Sequence, residues 1–172
     1  MSLLSRLIGT APDERAALRP LWSRVVASAR EPQWYTRGGI ADTPEGRFDA
    51  VTMVLALILL RMEGTPRLAG PTARLTELFV EDMDGQMRQG GVGDLAVGKH
   101  IGKLMSTLGG RIGAYRDALA EDGDTALVEA VRRNVSLGES GDADAVAAEM
   151  RVLAQTLAAT DDVALLAGLV VR

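Results

Sequence analysis

Apolar side chains in this 172-residue chain recur at three- and four-residue intervals and almost nowhere alternate, which points to helices before anything else is considered. Leu18, Leu21, Trp22, Val25, Val26 and Ala29 stand at i, i+3, i+4, i+7, i+8 and i+11, the spacing of one helix face. That helix is predicted to open near Pro12 or Asp13 and to end at Glu31-Pro32. Residues 33–41 read as a loop or short turn carrying Trp34 and Tyr35, with Gly38 and Gly39 free to take positive φ. Thr43 as N-cap and Pro44 at the first helical position start a second helix through Phe48, Val51, Leu55, Ile58, Leu59 and Met62, and Gly64 with Pro66 stops it.

A third helix is predicted from Gly70-Pro71 through Leu75, Leu78, Phe79, Met83 and Met87 to Gly90-Gly91. The fourth covers about residues 97–121, with Ile101, Leu104, Met105, Leu108, Ile112, Tyr115 and Leu119 on its apolar face. Gly102, Gly109, Gly110 and Gly113 each cost that helix about 1 kcal/mol relative to alanine. Such density predicts a break or a close helix-helix contact. Shorter helices are expected over residues 124–134, 142–159 and from Asp161, with the turn-forming 137–141 stretch between the first two. Aromatic residues make up only 3% of the chain, and the short connections favour antiparallel neighbours. The expected fold is an all-α, single-domain antiparallel helical bundle of about six to eight helices. A short N-terminal segment, residues 1–11, precedes the domain proper at 12–172.

Composition narrows the chemistry. The net charge of -4 gives no global attraction to nucleic acid or anionic lipid, and no nucleic-acid partner is expected. Without cysteine there is no disulfide, thiolate catalysis or iron-sulfur cluster, and the single histidine, His100, removes most remaining transition-metal sites. No metal and no cofactor is expected. The segment MSLLSRLIGT has neither a long apolar stretch nor a cleavage site, so the bacterial cytoplasm is the expected location. The longest apolar run, residues 50–60, is about half the roughly 20 residues a bilayer requires and reads as a buried helix. Membrane association, where it occurs, is therefore expected to be peripheral.

The stretch Gly93-Asp94-Leu95-Ala96-Val97-Gly98-Lys99-His100 fits a phosphate-binding loop until its last position, where His100 replaces the hydroxyl that would hold magnesium. The preceding residues are polar and helix-like, whereas such a loop follows a buried strand. Glu77, Glu81, Asp82 and Asp84 form a carboxylate cluster, but paired Glu-x-x-His motifs are lacking and a solvated face is the simpler reading. His100 has no serine or threonine nucleophile with a supporting acid, and Arg132, Arg133, Lys99 and Lys103 are too few for a nucleic-acid stripe. Nothing specifies an enzyme. Core filling is the default for the methionines, with partial exposure of Phe79, Met83 and Met87 as an adaptable apolar surface in the alternative.

Two stretches go beyond periodicity. Tyr35-Thr36-Arg37-Gly38-Gly39-Ile40-Ala41-Asp42-Thr43-Pro44-Glu45-Gly46-Arg47-Phe48 leads into the apolar helix. Glu77-Leu78-Phe79-Val80-Glu81-Asp82-Met83-Asp84 precedes Gly91-Val92-Gly93-Asp94-Leu95-Ala96-Val97-Gly98-Lys99. Together, in this order and spacing, they resemble the ubiquinol-cytochrome c chaperone family, over roughly residues 34–119 and including Gly110-Arg111 and Ala114-Tyr115. The C-terminal third matches as generic helices only. Leu108-Gly109 stands where the family often carries an aromatic pair, and the N-terminal extension of mitochondrial members is lacking, as in a bacterial protein.

The resemblance implies a helical, non-enzymatic assembly factor that binds newly made cytochrome b while ubiquinol-cytochrome c reductase, complex III, is built. It also leaves room for a small assembly-factor subunit as partner and for peripheral contact at the inner face of the cytoplasmic membrane. The candidate client-binding residues are Trp34, Tyr35, Arg47, Phe48, Phe79, Met83, Met87, Asp94, Lys99, Arg111 and Tyr115. Each is equally readable as structural: Asp42 and Thr43 as caps, Gly91 and Gly93 as turn residues, Arg47 as a partner of Asp84 or Asp94. The different-class alternative is a helical domain holding a hydrophobic small molecule such as a quinone. A deep closed cavity would favour it, an open groove lined by both motifs the chaperone.

Overall fold

Proline decides where the first helix can start. The computed structural model describes residues 15–89 and 94–170, leaving aside the side chains of 87–89 and 94–97. Pro20 has no N–H to bond four residues back, so the chain makes a 3-10 turn at Ala16–Leu18 and helix α1 occupies Arg19–Ala29. The α-helix thus opens later than the apolar spacing predicts, and Pro12 and Asp13 lie outside the described residues.

Residues 33–41 correct the expectation of a loop. Pro32 at the first position starts a short helix, α2 (Pro32–Thr36), after the extended Glu31. Trp34 is 0% exposed, its indole Nε1 donates to the Ser28 carbonyl at 2.7 Å, and its own carbonyl accepts from the Ile40 N–H at 3.0 Å. After α2 the chain turns at Gly39, where φ is +63° and a Cβ would lie 2.6 Å from Gly141. Gly38 and Gly39 carbonyls accept from Asp142 and Gly138 N–H groups at 3.0 and 2.8 Å, tying this turn to residues 137–142.

Helix α3 (Pro44–Met62) begins where the capping signal predicts, with the Thr43 hydroxyl accepting from the Gly46 N–H at 3.2 Å. Its residues 52–59 are all buried, and it packs against α1, α4, α5 and α7. A helix apolar on every side belongs at the centre of a fold, and α3 is that centre. A 3-10 turn (Pro66–Leu68) leads into α4 (Ala69–Gln89), followed by α5 (Asp94–Ala120), α6 (Thr125–Asn134), α7 (Ala143–Ala159) and α8 (Asp162–Leu166). Asp142 and Asp161 cap the last two through their carboxylates. The chain forms a single all-α domain; among the described residues its one β-type pairing is the isolated bridge between Ile40 and Leu137. No helix among them is long and apolar enough to cross a membrane.

Helix α5 corrects a second expectation. It is continuous over 27 residues despite its glycines, and a Cβ added at Gly98, Gly102, Gly109, Gly110 or Gly113 would meet nothing within 4 Å. These glycines neither break the helix nor admit a neighbour; they face outward. Gly110→Ala is therefore expected to raise stability by about 0.5–1 kcal/mol, because the unfolded chain loses freedom and no contact is strained. Thermal melts check this, and a fall in melting temperature would mean that something covers this face.

Candidate functional site

The start of α3 is pinned tightly, and that sets what the neighbouring helices can meet. A Cβ on Gly46 would come within 1.9 Å of the Ala41 carbonyl, so the loop before α3 lies directly on its first turn. Arg47, one residue on, takes Asp42 at 2.7 Å in an exposed ion pair. Of the structural readings, a pairing of Arg47 with Asp84 gives way to one with Asp42, five residues back on the loop before α3, and the Asp94 side chain lies outside the described residues. The Arg47 guanidinium holds the Asp42 carboxyl below the usual carboxylate range. Tyr35, half-buried beside them, donates from its hydroxyl to the Ala29 carbonyl at 2.9 Å, and burial followed by Asp42 pushes that hydroxyl upward.

Phe48 then projects between α4 and α5. It lines a hollow of about 380 Å³ with Met83, Gln86, His100, Lys103 and Leu104. On its other side a larger hollow of about 860 Å³ is bordered by Val26, Tyr35, Arg47, Val51 and Asp82. Phe48, Met83 and Gln86 belong to both, so the two form one groove, open to solvent, from α2 across the start of α3 to α5. Apolar Val26, Phe48, Val51 and Leu104 line it together with polar groups along its length, among them Asp42, Arg47, Asp82, Gln86, His100 and Lys103. The α5 wall is partly exposed: no residue from 98 to 107 is fully buried, and Leu108 is the first that is. Partly exposed apolar surface of this kind, rimmed by polar groups, suits an apolar polypeptide.

Four of the predicted residues line this groove: Tyr35, Arg47, Phe48 and Met83. Others go elsewhere, and the reason is burial. Trp34, Phe79 and Tyr115 are each 0% exposed and present no surface to a partner. Phe79 lies beneath the groove, its ring 6.5 Å from that of Phe48 and 6.1 Å edge-on from Trp22. Lys99 is exposed on α5, but the groove takes its neighbour His100 and Lys103 instead. The Met87 and Asp94 side chains lie outside the described residues. His100, Lys103, Leu104 and Thr107 were missed as a set, although their i, i+3, i+4, i+7 spacing places them on one helix face.

Arg111 is also buried, at 7% exposure, and sits behind the groove rather than in it. Its guanidinium lies 5.5 Å from the Phe48 ring centre, and donates to Asp49 Oδ1 at 2.5 Å and to the Thr52 hydroxyl. Asp49 Oδ2 in turn accepts from the Ser136 N–H and hydroxyl at 2.8 and 2.7 Å. Burial drives the Tyr115 hydroxyl up to about 12, and this hydroxyl and Arg111 Nε are buried without hydrogen-bond partners.

The catalytic alternatives find no support in this geometry. Asp94 to His100 lies inside α5, so the Gly-Lys pair is helical and does not form a phosphate-cradling loop. Glu77 and Glu81 pair with Arg74 and Arg15 at 3.0 and 3.4 Å on a solvated face. Among the described residues no group of three or more histidine, aspartate or glutamate side chains is placed to hold a metal ion.

The crystal structure of the Cbp3 homolog from Brucella abortus superposes with a TM-score of 0.79 at 30% sequence identity, covering 97% of this chain and 94% of that one. No curated protein sequence matches. The family model for the ubiquinol-cytochrome C chaperone matches residues 36–171, well beyond the residues 34–119 that carry the sequence motifs, so the C-terminal helices are family structure rather than generic helices. On a match of that extent, around a fold it shares with a solved homolog, the chain belongs to the ubiquinol-cytochrome c chaperone family.

Proposed function

We propose that this protein is a non-enzymatic chaperone that holds newly made cytochrome b in the groove between α2, α3, α4 and α5 during assembly of complex III. The observation that carries the reading is the groove itself: open, of mixed apolar and polar lining, and lined by residues from both sequence motifs. A client built of transmembrane helices exposes apolar surface until its partners dock, and a binder that must later release it needs adaptable contacts. The partly exposed Phe48 and Leu104 supply these, whereas Met83, 8% exposed, fills the core beneath them. The openness of the groove favours a polypeptide over an enclosed small molecule such as a quinone.

The test is photocrosslinking from Tyr35 and Lys103 in cells making cytochrome b, with adducts identified by mass spectrometry. Cytochrome b is expected at both positions and not from a probe at the exposed Val163 on α8. Leu104→Asp places a charge on the groove wall at a partly exposed site, so capture is expected to fall about tenfold with little change in melting temperature. Equal capture by this variant would sink the groove as the client site.

A further inference from the structure

We propose that Asp49 is the positioning residue of the groove, holding the floor through Arg111 and the rim through Ser136 with the two oxygens of one buried carboxylate. The inference rests on the groove being the client site. Asp49 follows Phe48 on α3 and is as buried as Arg111, each being 7% exposed. Through Oδ1 it fixes the guanidinium behind the Phe48 ring. Through Oδ2 it holds Ser136, whose carbonyl accepts from the Ala41 N–H at 2.9 Å. The residue after Ala41 is Asp42, partner of Arg47 at the groove's edge. Floor and rim therefore trace back to one side chain.

Stability alone gives this arrangement no reason to exist. Taking two charges out of water is costly, and apolar residues of similar volume commonly serve a core as well or better. Arg111 Nε, buried without a partner, marks a network that is not optimised for stability. What a carboxylate supplies and apolar packing does not is direction. Its two oxygens fix the ring on one side relative to the loop on the other, whereas a purely hydrophobic contact permits several arrangements of similar energy.

The chain contains two phenylalanines, so labelling with 4-fluorophenylalanine gives one fluorine resonance for Phe48 and one for Phe79. In the apolar swap Asp49→Leu with Arg111→Met, the Phe48 resonance is expected to shift and broaden, and that of Phe79, in ring contact with it, to shift less and stay sharp. Crosslinking of cytochrome b from Tyr35 is expected to fall about fivefold, with the melting temperature nearly unchanged. Ser136→Ala removes one rim hydrogen bond at an exposed residue and is expected to weaken Tyr35 crosslinking while leaving Phe48 in place. An unmoved Phe48 resonance with full crosslinking in the swap overturns the proposal. Should the swap fail to fold, full crosslinking by Ser136→Ala overturns it. Absence of cytochrome b adducts from the unsubstituted protein would instead overturn the client reading, and the fluorine spectra would still judge Asp49.

Discussion

Replacing Arg111 with methionine is expected to destabilise the fold by about 3–5 kcal/mol, the cost of leaving one member of a buried ion pair without its partner. Asp49 would keep the two Ser136 hydrogen bonds on Oδ2 but lose the guanidinium that faces Oδ1 at contact distance. Thr52 would also lose a donor to its hydroxyl, and Phe48 the cation behind its ring. Urea unfolding measures the effect, and its midpoint should fall while the slope stays constant. The double apolar variant should be far less destabilised than the sum of the two single ones, because the second change removes the orphaned charge that the first creates. Strict additivity would show that the two side chains do not act as a pair.

Trp34→Ala is expected to cost a similar 3–5 kcal/mol, and Tyr35→Ala only about 1 kcal/mol. These neighbours were read alike from the sequence, yet α2 turns one fully inward and leaves the other half-buried on the groove. Removing the indole opens a cavity and leaves the Ser28 carbonyl without its 2.7 Å donor. Removing the phenol loses one hydrogen bond, to Ala29, and some groove surface. Against a typical stability of about 5–15 kcal/mol, the first change threatens folding and the second does not. The opposite pattern is expected in client capture: Tyr35→Ala lowers it in a protein that still melts normally. Paired thermal melts and crosslinking check both arms, and equal destabilisation by the two substitutions would contradict the burial of Trp34.

Much of the helical skeleton was legible because its signals are local. The Thr43 cap, Pro44 at the first turn and Gly64 at the stop act within a few residues, and α3 begins and ends where they stand. The apolar run at residues 50–60, interrupted only by Thr52, reads as a buried helix, and it is the central one. Proline told less clearly: Pro20 delays α1 and Pro32 starts α2, effects that the surrounding hydrophobic pattern conceals. The glycines of α5 misled for a different reason. A glycine has no side chain to declare which way it faces, and only the packing shows that these face outward.

The sequence by itself determined the helical class, the burial of α3 and, through two motifs, the family. Only the tertiary structure decided which members of those motifs reach the surface. Helical period places Phe79, Arg111 and Tyr115 on faces, but whether a face meets solvent or a neighbour depends on helices distant along the chain. Phe79 lies under Phe48, and Arg111 on α5 is held by Asp49 on α3. For the same reason His100, Lys103 and Leu104 join Met83 and Phe48 only because α4 and α5 fold side by side over the start of α3. Local signals fix where helices run; the groove is made of contacts between residues far apart in sequence, which no local pattern encodes.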